Sequence, residues 1–145
     1  MNNEVERIKL YRTEYESMLS MALSERPKEA CGLVAGTISE GGIKVISKVY
    51  LLRNTDQSAE HFSLDPKEQL AAVQDMRKLG LKPLGNWHSH PITPSRPSEE
   101  DRRLAYDKNA VYMILSLAEK EPVLNAFHIE NGYARKELLE IVEGE

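Results

Sequence analysis

Apolar and polar positions change period several times along this chain, and each change marks an element. Residues 7–10 (RIKL) alternate charge with aliphatic bulk and predict a short strand. Thr13 and Glu16 form a T-x-x-E pair, the signature of a capped helix start. Tyr15, Met18, Leu19 and Ala22 then recur at i, i+3, i+4 and i+7, a half-buried helical stripe that must stop before Pro27. Residues 30–37 (ACGLVAGT) are small and apolar. They predict a strand that another backbone or a ligand approaches closely at Gly32 and Gly36. Gly41-Gly42 predicts a hairpin turn into residues 43–52 (IKVISKVYLL), which are rich in β-branched residues. Asp65-Pro66-x-Glu68 supplies an N-cap, a proline at the first helical position and an acid in the first turn. That helix runs to about Lys78, with Gly80 just beyond it and a buried stripe including Leu70, Val73 and Met76.

A strand over 83–90 (PLGNWHSH) precedes a loop holding Pro91, Pro94 and Pro97. Ser98 predicts the cap of a short helix through about Tyr106. Three strands follow, at 110–117, 123–129 and 133–142, the last two joined by an Asn131-Gly132 turn. The order β-α-β-β-α-β-α-β-β-β predicts one α/β domain over residues 1–145, with a mixed, mostly antiparallel sheet and about three helices.

Composition narrows the function classes. The 145 residues are 41% hydrophobic and 29% charged, a globular balance with enough chain for a core without disulfides. Lys plus Arg is 19 and Asp plus Glu is 23, for a net charge of −4. That balance gives no bulk attraction to nucleic acid or anionic lipid, so neither is expected as a partner. The single cysteine cannot form an internal disulfide, which fits a reducing cytoplasm, the expected location. The N-terminal MNNEVERIKL carries charges where a signal peptide needs an apolar stretch, and no apolar run is long enough to span a membrane.

The chemistry concentrates in His88-Ser89-His90-Pro91-Ile92-Thr93-Pro94-Ser95-Arg96-Pro97-Ser98-Glu99-Glu100-Asp101. Histidines at i and i+2 on an extended segment point to the same side, so both rings can reach one cation. Two ligands bind weakly. Asp101, in the first turn of the helix after a proline-stiffened loop, is a candidate third. Two His and one carboxylate leave the fourth position of a tetrahedral zinc open for water, the arrangement of a catalytic site. Spacing alone leaves blander readings open. An H-x-H pair arises by chance, Ser98 and Asp101 serve equally as N-cap and N3 of a helix, and the loop serves as a plain connection.

The pattern His88-Ser89-His90-Pro91, then Ser98-x-x-Asp101, resembles the signature of the JAMM (MPN+) metallopeptidases. Pro27-Lys28-Glu29-Ala30-Cys31-Gly32-Leu33 is similar to that family's P-x-E-x-x-G-L segment. The similarity includes the Asn54…Phe62…Asp65-Pro66 stretch and extends over nearly the whole chain. It is strongest to the small stand-alone prokaryotic members.

The resemblance implies a JAMM/MPN fold of cytidine-deaminase-like architecture, with one Zn²⁺ per chain held by His88, His90 and Asp101. It implies Glu29 as the residue that takes a proton from water and returns it to the leaving amine. Ser98 is implied as a hydrogen-bond donor to the developing oxyanion. Glu29 is chosen by the resemblance alone, since sequence physics does not separate it from Glu25, Glu40 or Glu60. If it is the base, its strand must lie beside His88–His90, where Gly32 and Gly36 would ease the approach.

Cys31 reads as a packing residue and Trp87 as facing away from His88, while His61 and His128 lie outside the motif. The implied activity is hydrolysis of a peptide or isopeptide bond, with the Gly-Gly tail of a ubiquitin-like sulfur-carrier protein as the expected partner and substrate. The alternative is a non-catalytic MPN-type binding scaffold, whose members have lost motif residues that this chain keeps. A zinc deaminase needs a P-C-x-x-C ligand pair, which this chain lacks.

Overall fold

The computed structural model describes residues 7–144. In chain order the elements are β1 (Arg7–Tyr11), α1 (Arg12–Glu25), β2 (Cys31–Ile38), β3 (Lys44–Leu52), α2 (Pro66–Lys78), β4 (Lys82–His90), α3 (Glu99–Arg103), β5 (Val111–Ser116), β6 (Val123–Glu130), β7 (Tyr133–Lys136) and β8 (Leu138–Val142). The strands form one sheet in the order β7-β6-β5-β4-β2-β3-β1-β8. Pairs β2/β3, β2/β4, β5/β6 and β6/β7 are antiparallel, whereas β1/β3, β1/β8 and β4/β5 are parallel. The sheet is therefore mixed, as the element order predicts, with three helices beside it.

The stretch 133–142 departs from expectation. It is two strands rather than one, parted at Glu137, and they lie at opposite ends of the strand order. A flat sheet of this size would hold its edge strands roughly 34 Å apart, a gap one residue cannot bridge. The sheet must therefore curl until its ends meet. Glu137 sits at that seam, buried, with its N–H donating to the Ala126 carbonyl at 2.8 Å.

Inside the curl lies the main core, in which Met18 and Ala22 of α1 pack with Ile8, Val34, Trp87 and Met113. Tyr15 and Leu19 complete the α1 stripe at partial burial. The Thr13/Glu16 box does not form. The chain passes directly from β1 into α1, so Tyr11 takes the cap position without a side-chain bond and Thr13 is already helical. Glu14 instead accepts from the Val49 N–H at 2.7 Å, tying α1 to β3.

Helix α2 starts as expected, with the Asp65 side chain accepting from the Lys67 N–H. Its buried face is Ala72 and Met76, while Leu70 is 59% exposed, against expectation. Polar contacts set this rotation: Glu68 accepts from the Arg53 N–H and Asp75 from the Tyr50 hydroxyl, which turns Leu70 outward. Helix α3 ends at Arg103, short of Tyr106.

The glycines of β2 do mark close approach, chiefly toward β3. A Cβ on Gly32 would collide with the Tyr50 carbonyl and lie 2.5 Å from Trp87 Nε1, and one on Gly36 would collide with the Val45 carbonyl.

Candidate metal centre

The last residues of β4 alternate between two environments. Trp87 is fully buried in the core and donates its Nε1–H to the Tyr50 carbonyl at 3.2 Å. Ser89 is fully buried as well and forms a two-way clamp with Ala30: its N–H donates to the Ala30 carbonyl at 2.9 Å, and its hydroxyl accepts from the Ala30 N–H at 2.7 Å. This clamp continues the antiparallel register Cys31↔His88 and sets Glu29 across from His90.

His88 and His90 occupy the intervening positions, each buried. Their Nε2 atoms are 3.1 Å apart, and each lies 3.2 Å from Asp101 Oδ2. Ligands about 2.0–2.1 Å from a tetrahedral zinc stand about 3.3–3.4 Å from one another. The three atoms thus form a nearly preformed face of such a tetrahedron. His90 Nδ1 lies 2.9 Å from the Pro94 carbonyl, which requires the proton on Nδ1 and leaves Nε2 with a free lone pair. His88 Nδ1 is buried without a hydrogen-bond partner. Phe62 stacks on that ring instead, at 4.6 Å between centroids and 26° between planes.

Local helix chemistry aims Asp101. Ser98 caps α3, its hydroxyl accepting from the Asp101 N–H at 3.0 Å while Asp101 Oδ2 accepts from the Ser98 N–H at 2.9 Å. The reciprocal box turns the carboxylate back toward the histidines. Acceptance uses a lone pair on Ser98 Oγ and leaves its proton available.

Electrostatics suit a cation. Burial opposes ionisation of Asp101, but its contacts with His88 and His90 and the hydrogen bond from the Ser98 backbone outweigh it and hold the carboxyl well below its usual range. Burial lowers the His88 pKa, favouring the neutral ring that a metal needs. At His90 burial is outweighed by Asp101, Pro94 and Glu29, and the net direction is upward. Glu29 is 3% exposed, and its Oε1 has no hydrogen-bond partner. Burial, reinforced by Asp101, Glu100 and Glu60 against the opposing pull of His90, pushes its carboxyl up to about 8.

Of the residues singled out from sequence, His88, His90 and Asp101 converge, with Glu29 and Ser98 beside them. Cys31 stays out of the cluster, buried with Sγ 3.9 Å from the Leu52 carbonyl. His128 lies near Arg135 and Glu130, away from the cluster. His61 contacts Asp56 and lines an open cleft of about 450 Å³ beside His88 and Asp101, with apolar walls from Phe62, Leu64, Tyr112 and Ile129. The packing of Phe62 on His88 carries no periodic signal and is not readable from spacing.

Known proteins share this arrangement of chain. The family described as prokaryotic homologs of the JAB domain matches residues 13–130. A CysO-cysteine peptidase of Mycobacterium tuberculosis (strain ATCC 25618 / H37Rv) is 30% identical over 128 residues, covering 88% of this chain and 86% of that protein. A desampylase of Haloferax volcanii is 28% identical over 115 residues, covering 76% of this chain and 81% of that protein. The solution structure of DSY2949 from Desulfitobacterium hafniense superposes with a TM-score of 0.86 at 48% identity, covering 94% of each chain. With the family pattern spanning most of its length, this chain belongs to the prokaryotic JAB-domain proteins.

Proposed function

We propose that this chain is a zinc-dependent peptidase or isopeptidase that acts at the Gly-Gly tail of a ubiquitin-like sulfur-carrier protein, in the cytoplasm. One observation carries the reading: three preorganised ligand atoms 3.1–3.2 Å apart, with a buried, unpartnered carboxylate held beside them. The relatives named as a CysO-cysteine peptidase and a desampylase support hydrolysis and this class of substrate. A binding scaffold has no use for an orphaned carboxylate oxygen next to a ligand triangle.

His88 Nε2, His90 Nε2 and Asp101 Oδ2 would hold one Zn²⁺. A cation there supplies Lewis acidity, polarising a carbonyl and bringing the pKa of water down toward about 7. Glu29 Oε1 has no competing partner, so it takes the proton of the attacking water and returns it to the leaving amine. Its burial favours the protonated carboxyl and so favours uptake of that proton from water. The Ser98 hydroxyl keeps its own proton and donates it in a hydrogen bond to the oxygen that gains charge. Loss of one such donor costs about 2.7–4 kcal/mol in known hydrolases. The apolar cleft beside Asp101 gives an extended tail a wall to lie against.

The test combines metal content with cleavage of a ubiquitin-like protein extended beyond its Gly-Gly terminus. Stoichiometric zinc and release of the extension are expected, with Glu29→Gln keeping the zinc and losing the cleavage. Purified protein that takes up no zinc and cuts nothing would leave the scaffold as the better reading.

A further inference from the structure

Asn54 uses every hydrogen-bonding site its side chain has. Its Nδ2 donates to the Glu29 carbonyl and to the His61 carbonyl, each at 3.1 Å. Its Oδ1 accepts from the Asp56 N–H at 3.0 Å and from the Ser63 N–H at 3.2 Å. Asn54 lies two residues past the end of β3, in an isolated bridge with Leu64, and is 4% exposed. An amide offers two donors and two lone pairs, so the group is saturated.

The four partners fall on two sides. One is the backbone of Glu29, whose N–H is also held, donating to the Ser58 carbonyl at 2.7 Å. The other three lie in the loop 55–64, and His61 and Ser63 flank Phe62, the ring stacked on His88. Asp56 draws the same loop inward, accepting from the Ser63 hydroxyl at 2.8 Å and contacting His61 Nδ1 at 3.0 Å. One amide thus joins the segment carrying the buried carboxylate to the segment carrying the only partner of the His88 ring among the described residues that is not itself in the ligand cluster.

We propose that Asn54 is a positioning residue that locks Glu29 and, through Phe62, His88 into one rigid unit. The inference rests on the metal-centre reading. His90 is aimed by the Pro94 carbonyl, while His88 lacks any Nδ1 partner and is aimed by the aromatic face. Orienting contacts around metal-binding histidines typically matter 10- to 100-fold in affinity.

The experiment uses Asn54→Asp in the full chain. This change keeps the shape and both acceptors but replaces the donors to Glu29 and His61 with a charge that repels their carbonyls. Co²⁺ affinity is read by competition with a chromophoric chelator, together with the visible Co²⁺ spectrum, and the His88 ring resonances are read by NMR in the metal-free protein. Expected are a Co²⁺ affinity at least about ten-fold weaker, an altered Co²⁺ spectrum and a shifted His88 signal as Phe62 moves.

Thr55→Val is the control, because it deletes a hydroxyl contact to the Ser63 carbonyl in the same loop without touching Glu29. It should lower the melting temperature and leave the affinity alone. If Asn54→Asp fails to fold, Phe62→Leu, which keeps apolar bulk without the ring face, must show the same affinity loss and resonance shift. A folded Asn54→Asp with unchanged affinity and unchanged His88 resonances overturns the proposal, and so does a Thr55→Val that matches it in both. The His88 resonance needs no cation, so it judges Asn54 separately from the metal-centre reading, which fails on its own if wild-type protein takes up no Co²⁺.

Discussion

The ring of His90 donates a hydrogen bond from Nδ1 to the carbonyl of Pro94, four residues on, at 2.9 Å. The proline-rich loop therefore does more than connect β4 to α3: it chooses the tautomer of a proposed ligand. Pro94→Gly keeps a carbonyl at this position but frees the backbone that aims it. Zinc affinity should fall by up to about ten-fold, with the melting temperature of metal-free protein changing little. Chelator competition and calorimetry check the two halves of that expectation.

Removing a proposed ligand and removing the proposed proton acceptor should separate cleanly. His88→Ala or Asp101→Ala loses zinc and hydrolysis together. Glu29→Gln retains zinc, because Glu29 lies outside the ligand triangle, and loses about 10²–10⁴-fold in kcat. Elemental analysis beside turnover measurements checks both, and full turnover in Glu29→Gln would remove Glu29 from its assigned role.

Glu29 also makes stability depend on pH. Its carboxyl sits at about 8 when folded and returns to the ordinary glutamate range when unfolded. Between those values the folded state binds the extra proton, so stability falls as pH rises. Metal-free wild type should lose melting temperature from pH 5 to pH 9 faster than metal-free Glu29→Gln. The gap between them should widen through about pH 8. Parallel curves would show that the carboxyl is not held protonated in the metal-free fold.

Substitution can split the observed capping by Ser98 from the oxyanion role proposed for it. Ser98→Ala removes the cap of α3 and should cost about 1 kcal/mol, along with much of the turnover. Glycine caps a helix nearly as well as serine but brings no side-chain donor. Ser98→Gly should therefore recover most of the melting temperature without recovering kcat. Recovery of both would make Ser98 a cap alone.

Gly32 is the position where backbone packing is least forgiving. An alanine there meets the Tyr50 carbonyl and Trp87 Nε1. Overpacking of this kind costs on the order of 1–3 kcal/mol, and because Glu29 lies three residues upstream on the same segment, activity should fall as well. Denaturant titration and kinetics of Gly32→Ala check this.

Much of this was legible in the residues, for physical reasons. Strong periodicity and turn chemistry located β1 to β4 and α2, because Gly41-Gly42 and Asp65-Pro66 act locally. Contacts between distant segments were not legible. The outward turn of Leu70 depends on Tyr50 of β3 and Arg53 just after it reaching α2. The Thr13 box failed because β1 runs straight into α1, which no local propensity encodes. At the site, i and i+2 spacing paired the histidines and the capping pattern marked Asp101, but Glu29 was picked out only by family resemblance. Its place across from His90 comes from β2 and β4 lying side by side, a tertiary fact. The stacking of Phe62 and the four bonds of Asn54 are tertiary in the same sense.

The seam at Glu137 sets an order for folding. β1 pairs with β3 on one flank and with β8 on the other, joining residues 7–11 to residues 138–142. A nascent chain on the ribosome can zip the middle strands as they emerge, but β1 keeps one bare ladder until the latest-made of these strands arrives. Closure is thus a late, long-range event, and a chain cut after Lys136 would be left with an open edge ready to recruit a neighbour.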